Sequence, residues 1–126
     1  MTLEDFIDLM DVHAKQFKLS YQNSYHVTYV FEHPSIHCSF CVLRFDSFYD
    51  THTLLVPYSF IHIFNEELNK IVVTPVKQNK PACSYTEYKK LFNPSKDIII
   101  SEINNVVIQF KQFIADCKLA LINKDF

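Results

Sequence analysis

Leu54-Leu55-Val56-Pro57-Tyr58-Ser59-Phe60-Ile61-His62-Ile63-Phe64, followed by residues 65–70 and Ile71-Val72-Val73-Thr74-Pro75-Val76, tips the balance between a helical and a sheet-rich middle of the chain. Two periods compete in it. Phe60, Phe64, Leu68 and Ile71 fit a helix starting at Pro57, while Tyr58, Phe60, His62 and Phe64 alternate as a strand does. The reading taken here is a strand across Leu54 to Phe64, a turn at Asn65 to Lys70, and a further strand from Ile71 to Val76.

On the N-terminal side, Leu3, Phe6, Ile7, Met10, Ala14 and Phe17 form an amphipathic stripe that predicts a helix over residues 2–18. Thr2 is its expected cap, and Glu4 and Asp5 suit the positive end of the helix dipole. From Tyr21 the period becomes two: Tyr21, Tyr25, Val27, Tyr29 and Phe31 alternate with polar residues, which predicts one half-buried strand to Glu32. After a turn at His33-Pro34-Ser35, the span Ile36 to Phe45 is apolar on both faces and reads as a central strand. Asp46 to Thr53 reads as a polar loop.

On the C-terminal side, Ser84-Tyr85-Thr86-Glu87 matches a capping box and predicts a short helix ending before Asn93-Pro94. Ile99, Ile103, Val106, Val107, Phe110, Ile114, Cys117 and Leu121 then predict a long helix capped by Ser95 or Ser101. The expected fold class is α+β in one domain, residues 1–126. An N-terminal helix precedes an antiparallel sheet of three to four strands, and a short and a long C-terminal helix pack on one sheet face.

Composition narrows function mostly by exclusion. The chain has no glycine, where average usage would give roughly nine. Glycine-rich phosphate loops are therefore not available, which argues against nucleotide sites of the P-loop, dinucleotide-fold and kinase types. Turns are expected to be longer loops carrying Asn, Asp, Ser or Pro. Eleven lysines and one arginine, Arg44, stand against fourteen acids for a net charge of −2, so nucleic acid is not an expected partner. The apolar runs, such as Ile98-Ile99-Ile100, are far shorter than the ~20 residues of a bilayer span. Residues 1–11 hold four acids and no Lys or Arg, the reverse of a signal or transit peptide. The expected location is cytoplasmic, with no membrane partner, and the four cysteines are expected as free thiols.

Three sets of residues could carry chemistry. His33, His37, Cys41 and His52 are zinc-ligand types, but Cys38 and Cys41 fall three apart in a predicted strand and would point to opposite faces. Asp46, Asp50 and His52 share one predicted loop and could act as an acid/base or divalent-ion set. Cys83 could pair with a histidine as a nucleophile. None has a local signature, and neither a cofactor nor a resident metal is expected.

Aromatic density offers more. Twelve Phe and seven Tyr exceed what a small core uses, and tyrosine suits protein interfaces. The expected interaction patch comprises Tyr25, Tyr29, Phe48 and Tyr49, with acidic Asp8 and Asp11 and basic Lys89 and Lys90 as docking charges. Lys77, Lys80, Lys89, Lys90 and Lys96 are offset only by Glu87 in that span. The resulting expectation is a small protein-binding module of the inhibitor or immunity type. Its Lys-, Asn- and Ile-rich usage associates it with AT-rich coding of a phage, plasmid or other mobile element. Homodimerisation through an edge strand or the last helix is a further expectation. The alternatives are a small-ligand domain with an apolar aromatic pocket and a cofactor-free enzyme.

Overall fold

The computed structural model describes the backbone of residues 1–38, 40–77, 80–81 and 88–124, and the side chains of residues 1–38, 40–76 and 88–116. The chain opens with helix α1, Leu3–His13, capped as expected by Thr2. The Thr2 hydroxyl accepts from the Asp5 N–H, and the Asp5 carboxylate accepts from the Thr2 N–H, both at 3.1 Å. Helix α1 stops earlier than its apolar stripe. Ala14 and Phe17 are buried, but Phe17 already belongs to strand β1, Phe17–Gln22, and pairs with Phe31 of β2, His26–Phe31.

Strands β1 and β2 replace the single strand expected over residues 21–32. The chain reverses at Asn23, whose side-chain Oδ1 accepts from the N–H groups of Tyr25 and His26 at 2.7 and 2.8 Å. Such an Asx turn satisfies local backbone donors that a continuing strand would offer to a neighbour.

The expected central strand over 36–45 is likewise two strands in two sheets: β3, Ile36–Cys38, and β4, Leu43–Phe48. Its two apolar faces reflect service to both sheets. The expected polar loop over 46–53 is instead a tight hairpin, with β5 spanning Thr51–Val56 and pairing back on β4.

The deciding stretch is extended, as read, and the turn expected over Asn65 to Lys70 covers residues 66–69, with Asn65 and Lys70 paired across it. Yet Leu54 to Phe64 is not one strand. Pro57 has no N–H to give to a ladder, and the chain leaves the first sheet there, re-entering the second as β6, Ser59–Asn65. Strand β7, Lys70–Lys77, pairs with β6 through seven consecutive residue pairs. A two-residue strand β8, Lys80–Pro81, follows it.

The capping box at Ser84 to Glu87 lies outside the described residues. The rest of the expected short helix is a strand, β9, Lys89–Phe92, at the edge of the first sheet. Helix α2, Lys96–Lys124, starts at Ser95, whose hydroxyl accepts from the Ile98 N–H at 3.3 Å.

The architecture therefore corrects the expectation of one antiparallel sheet of three to four strands under a pair of C-terminal helices. Strand is the dominant structure. A five-stranded antiparallel sheet runs in the order β1-β2-β4-β5-β9, and a second sheet runs β3-β7-β6 with β8 beside β7. In the second sheet β3 and β7 are parallel, which the chain achieves by passing through the first sheet between them. The one long C-terminal helix is present as expected.

Both sheets and both helices contribute to a common core. Phe6 of α1 stacks on Phe45 with ring centroids 4.6 Å apart. Phe110 of α2 is fully buried and meets Phe17 and Phe31 of the first sheet at 5.3 and 4.4 Å and Phe60 of the second at 4.8 Å. Burial of one such side chain stabilises the fold by about 1.5–3 kcal/mol. Among the described residues no helix is long and apolar enough to cross a membrane.

Candidate functional site

Side chains alternate across a strand, so the core positions Val27, Phe45 and Leu54 fix the opposite side of the five-stranded sheet as its outward face. Register aligns His26 with Asp46, Asp46 with Thr53, and Thr53 with Phe92, giving one row across four strands on that face. Arg44 Nε donates to Asp46 Oδ1 at 2.9 Å, and the Thr53 hydroxyl lies 3.5 Å from Asp46 Oδ2. Tyr21 covers His26 with ring centroids 5.3 Å apart. At the far edge the Lys90 ammonium sits 4.9 Å from the Phe92 ring centroid, within cation–π range.

Among the described residues, a concentrated apolar exposure stands where two hairpins meet. The β1–β2 turn presents Tyr25 and the β4–β5 turn presents Phe48 and Tyr49, and the Ser47 N–H donates to the Tyr25 carbonyl at 2.7 Å to hold the turns together. Tyr25 meets Phe48 edge-on at 5.0 Å, and Phe48 meets Tyr49 at 4.3 Å. The three residues are 54%, 47% and 90% exposed. They touch one another in solvent rather than in the core. The structure thus brings together three of the four aromatic residues expected in an interaction patch.

The fourth does not join them. Tyr29 is buried against Phe6, and burial, with a smaller contribution from Asp11, pushes its phenol up to about 12. The docking charges are also dispersed. Asp8 and Asp11 are exposed on α1, which packs on the core side of the sheet, away from Tyr25 and Phe48. Asp8 shares with Asp5, His52 and Lys96 an open crevice of about 610 Å³ between α1 and the start of α2. Lys89 points to the core side, where its ammonium pairs with Glu102 of α2 at 2.6 Å, while its neighbour Lys90 points outward. These two lysines do not form one patch, and the side chains of Lys77 and Lys80 lie outside the described residues.

The sets proposed for chemistry are separated as well. In the β4–β5 hairpin Asp46 faces outward with Thr53, whereas Ser47 and His52 face inward. His52 is bound in place, its Nε2 donating to the Pro94 carbonyl at 2.9 Å and its N–H to Asn93 Oδ1 at 2.8 Å. Asp46 and His52 are therefore no acid/base pair, and Asp50 is exposed in the turn.

Of the other ligand types, His33 Nδ1 accepts from the Ser35 N–H at 3.1 Å, and the Cys41 thiol donates to the Leu43 carbonyl at 3.0 Å. Among the described residues no group of three His, Cys, Asp or Glu could hold a metal ion. Cys38 is a free thiol held above the usual cysteine range by burial, the wrong direction for a nucleophile. Cys83 lies outside the described residues.

Sequence reading missed Phe92, which it placed in a helix, and did not foresee that Tyr21 and Tyr25 flank a turn. Asn23-Ser24, in the middle of the alternation, is the signal that marks that turn. Neither a family model, nor a curated protein, nor a solved structure matches this chain.

Proposed function

We propose that this protein is a non-catalytic protein-binding module of the inhibitor or immunity type, which engages its partner through the outward face of the five-stranded sheet. The observation that carries this reading is the Tyr25–Phe48–Tyr49 cluster, three solvent-exposed rings of which Phe48 touches both tyrosines. Large rigid aromatic surfaces with a polar tip are the usual anchors of protein interfaces. The Arg44–Asp46 pair, with Tyr21 and His26 beside it, supplies the polar surround that such anchors have.

The backbone supports the same reading. Tyr49 holds φ at 55°, a conformation that is unfavourable for a bulky residue and that concentrates at functional positions. The fold thus presents the most exposed aromatic ring among the described residues from a strained turn.

The test is the affinity of the native partner, recovered from cells that express the protein, for the wild type and for the double variant Tyr25→Ser, Phe48→Ser. Loss of two interface anchors is expected to weaken binding by about 100-fold while the melting temperature stays close to that of the wild type. Unchanged affinity would remove the cluster from the interface.

A further inference from the structure

Sheet edges are templates for pairing with another chain, and folded proteins guard them with lysine, proline, bulges or brevity. Among the described strands, three sheet edges are guarded. Strand β1 carries Lys18 and a register shift between Leu19 and Tyr21. Strand β9 is four residues long and carries Lys89 and Lys90. The side of β7 away from β6 is broken into β3, of three residues, and β8, of two ending on Pro81.

Strand β6 is different. It is the terminal strand of the second sheet, runs for seven residues, and keeps an unbroken register with β7. Ser59-Phe60-Ile61-His62-Ile63-Phe64-Asn65 contains no Lys, Arg, Asp, Glu or Pro. Ile61 and Ile63 point away from the core at 49% and 66% exposure, while Phe60 and His62 rest on Phe113 of α2 at 4.7 and 4.6 Å.

Phe60-Ile61-His62-Ile63-Phe64 also reads the same in both directions. Antiparallel pairing runs one strand against the reverse of its neighbour, so a stretch symmetric about His62 meets its own residue order in a second copy. From this symmetry and the unguarded edge we infer that the protein forms a two-fold homodimer in which β6 pairs antiparallel with β6 of a second copy, the axis passing through His62. Each Ile61 then lies opposite Ile63 of the other copy, and each Phe60 opposite Phe64. Apolar β-branched and aromatic pairs of this kind are the favourable cross-strand combinations.

The axis is perpendicular to the joined sheet, so each residue keeps its face. Four isoleucines gather on the outer side above Val72 and Thr74, their register partners in β7, and both copies of α2 lie on the other side. The result is a continuous sheet β3-β7-β6-β6-β7-β3 with an isologous interface. This surface is separate from the aromatic cluster on the five-stranded sheet, so either proposal can fail without the other.

The register makes the test specific. In I61K/I63K like charges oppose each other across the axis twice. In I61E/I63K each introduced carboxylate faces an introduced ammonium of the second copy, with the same two isoleucines removed. Sedimentation analysis of the purified full chain is expected to show a wild-type dimer, a dimer for I61E/I63K, and a dissociation constant at least about tenfold weaker for I61K/I63K. Hydrogen exchange of the unaltered protein gives a readout that needs no variant: amides of residues 59–65 gain protection as concentration rises. A wild-type protein that stays monomeric, equal behaviour of the two variants, or concentration-independent exchange in β6 would each overturn the inference.

Discussion

Tyr49 takes the left-handed conformation in a chain without glycine, and it shares that region with Asn69 and Asn93. Asparagine tolerates left-handed φ, but tyrosine does so at a cost of roughly 1–2 kcal/mol. Tyr49→Gly is therefore expected to raise stability by up to about 1 kcal/mol in chemical denaturation, with part of the gain offset by the lost contact with Phe48. The same variant is expected to bind the partner more weakly. A more stable protein that binds less well would identify Tyr49 as a residue kept for recognition rather than for folding. Equal or tighter binding would contradict that role.

Tyr29 behaves in the opposite sense. Its phenol ionises at about 12 in the folded protein against 10.0 ordinarily. Between those values the unfolded chain has released a proton that the native state still holds, so stability present below pH 10 falls as pH rises toward 12. The stability of Tyr29→Phe is expected to fall less than that of the wild type over this window, measured as the difference between the two proteins in denaturant titrations. Tyr25, Tyr29, Phe48 and Tyr49 are alike in sequence as aromatic residues on alternating or loop positions. Only the folded register separates the buried one from the exposed three, because Tyr29 pairs opposite Leu43 on the core face.

At the scale of the elements, α2 is what ties the two sheets together, and Phe110 is the contact that does it. Phe110→Ala removes ring contacts with Phe17, Phe31, Phe60 and Phe113 at once. It is expected to cost about 3–5 kcal/mol, read as a lower denaturation midpoint with loss of cooperativity between the sheets. A cost below about 0.5 kcal/mol, within the range of surface substitutions, would mean that the sheets hold together without the helix.

The helical stripe that includes Phe110 was legible because α2 keeps one apolar face over many turns. Thr2 and Ser95 were legible for the same local reason, as caps that act within one turn. Periodicity failed where the chain changes partner. Asn23 reverses an alternating run without breaking its alternation, Pro57 moves the chain to the other sheet between two apolar strands, and Ile36 to Phe45 is apolar on both faces because its halves belong to different sheets. At Asn23, at Pro57 and within Ile36 to Phe45 the chain changes its pairing partner, which period alone does not encode.

For the whole molecule, two sheets sharing one core leave two surfaces with different characters. The outward face of the five-stranded sheet is aromatic and polar and is anchored at Tyr25, Phe48 and Tyr49. The β6 edge is apolar and self-complementary. Charge arithmetic could not locate either surface, because Lys89 and Lys90, adjacent in sequence, point to opposite sides of one strand. Aromatic surplus pointed to the first surface, since residues too numerous for the core must stand somewhere on the outside. Contact of the aromatic face with a partner protein is probed by placing a photo-crosslinking phenylalanine analogue at position 49 in cells that express the protein. Leu68, exposed at the β6–β7 turn, serves as the control position. One dominant covalent adduct with a second, different protein is expected from position 49, and no adduct with that protein from position 68. No adduct from position 49, or the same adducts from both, would contradict that contact.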